Sequence, residues 1–330
     1  MKVQRITLED IAALAGVTKM TVSRYLRTPE KVKPETAERI ASVIEEVGYQ
    51  PDADNPAISS NAAPRIGVLV PSFNNQIFSD VLAGIESVTT AHGYQTLVVN
   101  YDYDSQREEE QIATVLALNV KALLLTESVH TLRAEKYLKA AKIPVAEVMG
   151  LSDNADRINV GFDNYRAGLD MTNMLLASGK KQIIYFGSMS DIRDEQRYAG
   201  YCRAMEEAGL AVGRIAPNKV SSVSIGTGMM TLARQMYKEM DAILCTNDDL
   251  AVGVLQECIA SGITVPQEMA IAGFHGLEIG QVVSPRLASV LTPRFEMGKV
   301  ATEILIKKIK GLPTIEKVDL HYRLSMGETI

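Results

Sequence analysis

Residues 8–26 read LEDIAALAGVTKMTVSRYL, and this stretch decides the amino-terminal fold. Thr7, just ahead of it, stands three residues before Asp10, the spacing at which a hydroxyl and a carboxylate cap one another at a helix start. Leu8, Ile11, Ala12 and Ala15 then form one apolar stripe, and Gly16 interrupts it. Thr18 can cap a second helix whose body is KMTVSRYL. At ~100° per residue, Lys19, Met20, Ser23 and Arg24 share one face of that helix, while Thr21, Val22 and Tyr25 share the other. Val22 can therefore pack on the first helix and leave the opposite face free. A third helix is expected at PETAERIASVIEEV (34–47), with Pro34 in its first turn and Gly48 as its stop. In a helix-turn-helix one helix braces on the DNA backbone and the next enters the major groove. In that setting Arg24 can donate two hydrogen bonds to a guanine edge, and Lys19 can reach a base or a phosphate. Thr18, Thr21 and Ser23 can contact phosphates. Thr7 and Met20 complete this part of the predicted DNA-contacting set.

Charge follows the same division. Residues 1–33 carry seven Lys and Arg against three Asp and Glu, a surplus of four positive charges within a chain whose total is −6. A basic head on an acidic body approaches polyanions with one end only. The three cysteines, Cys202, Cys245 and Cys258, have no CxxC spacing, which argues against a zinc ribbon or a redox pair. No apolar leader opens the sequence and no stretch approaches ~18 apolar residues, so the expected location is the cytoplasm, without membrane contact. The sequence holds no P-loop, GxSxG elbow or HExxH helix, and no cofactor or metal is expected.

Beyond the headpiece (1–50), residues 51–64, PDADNPAISSNAAP, have the composition of a linker. From residue 65 to 330 the pattern becomes apolar runs alternating with amphipathic helices. Strands are predicted at 66–70, 94–101, 122–126, 144–149, 158–162, 182–187, 242–246, 269–274 and 288–291. This alternation predicts doubly wound parallel sheets built from βαβ units. A weak internal repeat, strand 66–70 leading to GIESVTTAHGYQ and strand 182–187 leading to GYCRAMEEAGLAV, points to two similar lobes. In such sheets ligands bind outside the carboxyl ends of the strands.

The string from Leu8 to Leu26, including AGVT..TVSR, resembles the DNA-binding headpiece of LacI/GalR-family transcription regulators. The resemblance extends over the whole chain through AGIESVTTAHGYQT, DEQRYAGY, CTNDDLAVG, IAGFHGLEIGQ and PRLASVLTPR. It is strongest toward the family's gluconate- and idonate-type regulators. It implies an all-α helix-turn-helix headpiece joined to a two-lobed, periplasmic-binding-protein-like α/β effector domain. It also implies a homodimer on double-stranded operator DNA, acting as a repressor of sugar-acid catabolism under the control of a small effector. That effector would be gluconate or a related aldonic or ketoaldonic acid. Family members follow the third helix with a short hinge helix that wedges a leucine into the minor groove. Here Asp52 and Asp54 would place negative charge beside phosphate, and Pro56 disfavours helix at the preceding residue. Ile58 is the candidate wedge. The altered hinge leaves open the alternative of a sugar-acid-binding protein with weakened or lost operator binding.

Several polar and aromatic residues fall at the predicted strand ends: Ser72, Phe73, Asn74 and Phe78; Asp163, beside Asn164; Arg197; Asn247; and His275. The resemblance puts effector contacts at these loops. The fork of Arg197 suits a carboxylate, with a salt bridge to Asp194 or another nearby acid as its structural alternative. Phe73 and Phe78 offer an aromatic wall for a sugar's apolar face. Sugar-binding members of the family carry an aspartate where this chain has His275. A histidine there can donate to an acidic ligand that a carboxylate would repel. Asp248 is expected to be structural, fixing the loop after AILCT.

Overall fold

The computed structural model describes residues 7–47, 63–189 and 191–330. The chain divides into two compact units, residues 1–64 and 65–330. Gly48, the linker up to residue 62 and Ile58 lie outside the described residues.

The first unit contains α1 (Leu8–Leu14), α2 (Lys19–Arg27), a short 3-10 turn at Pro29–Lys31, and α3 (Pro34–Val47). The capping box forms: the Thr7 hydroxyl accepts from the Asp10 N–H, and the Asp10 carboxylate accepts from the Thr7 N–H at 2.7 Å. α1 ends on Gly16 at φ +64°, a conformation that favours glycine. There the Val17 N–H returns to Ala12 O at 2.9 Å and the Gly16 N–H to Ala13 O at 3.3 Å. This pair of bonds is a Schellman ending, which satisfies the last carbonyls and turns the chain toward α2. Ile11, Ala12, Ala15, Val22 and Ile40 form the buried centre of this small unit.

The second unit holds two six-stranded sheets. The first runs β11-β5-β4-β3-β1-β2, where β1 is Arg65–Val70, β2 Gln95–Asn100, β3 Ala122–Leu125, β4 Val145–Val148, β5 Ile158–Gly161 and β11 Lys317–Asp319. The second runs β12-β10-β9-β8-β6-β7, from β6 (Ile183–Phe186), β7 (Arg214–Ile215), β8 (Ala242–Cys245), β9 (Ala270–His275), β10 (Ala288–Leu291) and β12 (Arg323–Ser325). Strands β3, β4, β5, β6 and β8 are buried along their whole length, and apart from Glu147 of β4 and Asn159 of β5 they read as continuous apolar runs instead of alternating ones. All described pairings are parallel, as expected of doubly wound sheets, except that of the edge strand β12 with β10. The very short strands β7, β11 and β12 were not among the predicted ones.

The chain crosses between lobes three times. After β5 it enters α7 (Asn164–Ala177), which packs on α8 (Ile192–Glu207) of the second lobe. After β10 it returns through α12 (Arg294–Ile309), which packs on α4 (Gln76–Ala91) and beneath β3, β4 and β5. After β11 it crosses again to β12. The internal repeat marks the two tightest of these contacts. A Cβ on Gly84 of α4 would lie 2.1 Å from Phe295 O of α12, and one on Gly200 of α8 would lie 2.1 Å from Tyr165 O of α7. The remaining helices used below are α5 (Ser105–Ala117), α6 (Leu132–Ala141), α9 (Val223–Met236), α10 (Asp248–Ala260) and α11 (Glu278–Val282).

Candidate functional site

The first site is the outer face of α2. Thr18 precedes the helix and its hydroxyl accepts from the Thr21 N–H, so the cap sets where α2 begins. Val22 is fully buried against α1 and α3, which fixes the helix's rotation. Lys19, Met20 and Arg24 consequently face solvent, with Met20 71% exposed, while Thr21 and Ser23 are half-buried at the margins. Lys19 is ion-paired with Glu9 of α1, and that contact draws the Glu9 carboxyl below its ordinary value. Lys19 must leave Glu9 to reach a phosphate.

The second site is the cleft between the lobes. Phe78 and Ile77 line it from α4, Met149 and Tyr103 from loops of the first lobe, and Arg193 and Arg197 from α8. Ser221, Asn247, Thr246 and His275 close the second-lobe wall. The centre is Arg197, 5% exposed. Its Nε donates to Asn164 Oδ1 at 2.9 Å, and its Nη1 donates to Thr246 O at 2.8 Å and toward His275 Nε2 at 3.2 Å. The guanidinium lies 3.9 Å above the Phe274 ring. Among the described residues no carboxylate forms an ion pair with it, and its Nη2 makes no hydrogen bond to them. Burial draws Arg197 down from its ordinary value, yet arginine keeps its proton. Asp191 and Asp194, which also line the cleft, act on it only through space, so a ligand carboxylate would add the direct ion pair that it lacks.

His275 is buried and sits at φ +98°, a backbone region that side chains rarely adopt and that is often found at ligand sites. A guanidinium has no acceptor, so His275 Nε2 must be the acceptor of the Arg197 bond. The ring is then neutral, with Nδ1–H donating to Thr292 Oγ1 at 3.2 Å. Burial, followed by the charges of Arg197, Arg294 and Arg193, holds its pKa well below the ordinary imidazole value. This corrects the sequence expectation. Here His275 orients Arg197 and does not donate to an acid, because the neighbouring cation has already claimed Nε2. The residue still omits the carboxylate that would neutralise Arg197.

Residues 7–52 match the bacterial regulatory proteins of the lacI family, and residues 63–323 match the periplasmic binding proteins and sugar binding domain of the LacI family. The chain is 46% identical over 332 residues to the HTH-type transcriptional regulator IdnR of Escherichia coli (strain K12), and 47% identical to GntR of the same strain. Both alignments cover 100% of each chain. The crystal structure of transcription regulator GntR from Chromobacterium violaceum shares 34% identity at a TM-score of 0.78, covering 80% of this chain and 98% of that one. This chain belongs to the LacI family. As a LacI-family member it is a DNA-binding transcription regulator and not an enzyme.

Of the effector-contact residues expected in this LacI-family chain, Phe78, Arg197, Asn247 and His275 line the one cleft. Ser72, Phe73, Asn74 and Asp163 do not. Ser72 Oγ accepts from the Asn74 N–H at 3.1 Å in an exposed turn, and Phe73 is 60% exposed. The chain reaches the cleft only at Asn75, which caps α4 and donates to the Tyr103 hydroxyl at 3.0 Å. Asp163 is spent as the exposed N-cap of α7, accepting from the Arg166 N–H at 2.9 Å. Its neighbour Asn164 turns inward to hold Arg197, a result that the N-cap preference of aspartate could have signalled. Asp194 does not pair with Arg197. It accepts from the Tyr185 hydroxyl and from Arg214, both at 2.8 Å. Asp248 is structural, but it ties a different loop from the one expected. It accepts the Leu277 N–H at 2.6 Å and the Ser289 hydroxyl at 2.7 Å, joining the turn after β9 to β10. Burial pushes its pKa up to about 7. Arg193 was missed, although four-residue spacing from Arg197 puts both on one helix face.

Proposed function

We propose that the chain is a cytoplasmic homodimeric repressor whose hold on operator DNA is governed by a sugar acid of the aldonic or ketoaldonic class, gluconate being the first candidate. The observation that carries the effector class is Arg197, a buried guanidinium that lines the cleft and, among the described residues, has no hydrogen bond from Nη2 and no ion pair to a carboxylate. A ligand carboxylate there would gain charge-assisted hydrogen bonds from a guanidinium that is itself buried. Phe78 offers an apolar surface for the carbon chain, and Ser221, Asn247 and Tyr103 offer hydroxyl partners. On the headpiece, Lys19, Met20 and Arg24 present the base-reading face, while Thr7, Thr18, Thr21 and Ser23 stand at its phosphate-facing margin. Ligand control requires that the effector bind one state of the dimer more tightly than the other.

Calorimetric titration with gluconate and with sorbitol, its uncharged polyol counterpart, tests the reading. Gluconate binding that is lost in Arg197→Gln and that releases a selected operator duplex in a gel shift is the expected result. Equal affinity for sorbitol would overturn the effector class, and the absence of any preferred duplex would overturn operator recognition.

A further inference from the structure

Arg193 and Arg197 leave α8 from the same face, yet their donors go to different places. Arg197 is braced by neutral acceptors, and its Nη2 makes no hydrogen bond to the described residues. Arg193 is spent across the gap between lobes. Its Nη1 donates to Thr126 O at 2.9 Å and its Nη2 to Glu127 Oε1 at 2.7 Å, both just past the end of β3. From its own lobe Asp191 adds an ion pair at 3.2 Å. Glu127 is fixed in turn by the Tyr101 hydroxyl, which donates to it at 2.9 Å. Thr126 Oγ1 donates to Leu69 O of β1 at 3.2 Å. The side chains of Arg193 and Glu127 are only 8% and 16% exposed, so this pair is shielded from solvent screening. Glu127 itself does not line the effector cleft.

We propose that Arg193 is a positioning residue that ties the two lobes through Thr126 and Glu127 and thereby sets how readily the cleft closes on its ligand. Its guanidinium serves protein acceptors, and the anion belongs to Arg197. The apparent affinity of a site scales with the fraction of molecules already in the competent arrangement. Breaking the tie lowers that fraction without removing one ligand contact. A residue outside the cleft, Glu127, should therefore control affinity as strongly as Arg193 does.

The test uses the full chain with Cys202 replaced by alanine and spin labels on Gln106→Cys and Lys219→Cys, exposed positions in different lobes, diluted with unlabelled protein. In the absence of ligand, Arg193→Ala and Glu127→Ala should both broaden the interlobe distance distribution toward longer values. Glu127→Gln, which keeps an oxygen for Tyr101 and Arg193, should do so less. Each alanine variant should weaken gluconate binding about tenfold, and the double variant should be no weaker than either single. Additive losses would assign Arg193 to the ligand, and an unchanged distance distribution would remove the tie. Either result overturns the proposal. Only the affinity arm rests on the sugar-acid reading. The distance arm stands without any ligand, so the two can fail separately.

Discussion

Replacing His275 by aspartate turns the charge balance of the cleft around a single atom pair. Arg197 Nη1 lies 3.2 Å from His275 Nε2, and the ring is neutral because it accepts that bond. Aspartate tolerates positive φ as histidine does, so the backbone at +98° does not forbid it. Its carboxylate would pair with Arg197 and supply internally the anion that the ligand otherwise brings. A ligand carboxylate on Nη2 would then sit about 5 Å from a like charge, worth about 3 kcal/mol of repulsion at an effective dielectric near 20, or roughly a hundredfold in affinity. The neutral polyol sorbitol escapes this penalty and gains a hydroxyl acceptor. Titration calorimetry of wild type and His275→Asp with gluconate and sorbitol reads both effects, and the free variant should melt no lower than wild type. A variant that binds gluconate within threefold of wild type would refute Arg197 as the anion anchor.

On the headpiece, Arg24→Ala should cost about 1–3 kcal/mol of operator affinity while gluconate titration stays unchanged; a gel shift with calorimetry checks both. Thr7→Ala should lower headpiece stability by about 0.5–2 kcal/mol by removing the capping box, read by amide exchange in α1. In the first lobe His130 sits between Glu108 at 3.0 Å and Glu147 at 3.6 Å. Arg157, bonded to Glu147 and Glu135, completes this nest. Burial alone would lower the His130 pKa, but the two carboxylates raise it to about 9. Its stabilising contribution is therefore complete below the ordinary imidazole value near 6.5 and is lost as pH rises through about 9. Melting temperature should fall across that window in wild type and fall less in His130→Gln. Gly253→Ala brings a Cβ to 2.0 Å from Val223 O where α9 meets α10, and should destabilise the second lobe by about 1–3 kcal/mol in thermal melts.

The long strands and the helix caps were legible because each depends on local chemistry: an unbroken apolar run buried on both faces, or a hydroxyl or carboxylate before a helix. β7, β11 and β12 were not, since segments such as Arg214–Ile215 and Lys317–Asp319 are strands only because a sheet edge receives them. The cleft was half legible for a related reason. Strand ends located Phe78, Arg197, Asn247 and His275, but whether a loop residue faces inward depends on the cap that follows. Ser72 to Asn74 precede the α4 cap at Asn75, and only the position of that cap decides which loop residue turns inward. The direction of the Arg197–His275 bond was beyond sequence reading, because it follows from how close two side chains from different elements come.

The three crossings between lobes bear on how the polypeptide emerges from the ribosome. β5, an early strand of the first sheet, keeps one flank bare until Lys317–Asp319 arrives, and the sheet's underside waits for Arg294–Ile309. The headpiece can fold as soon as its own residues are out, whereas both lobes must reach completion almost together. A nascent regulator stalled within the second lobe would thus expose an unfinished sheet, a state for chaperones to shield.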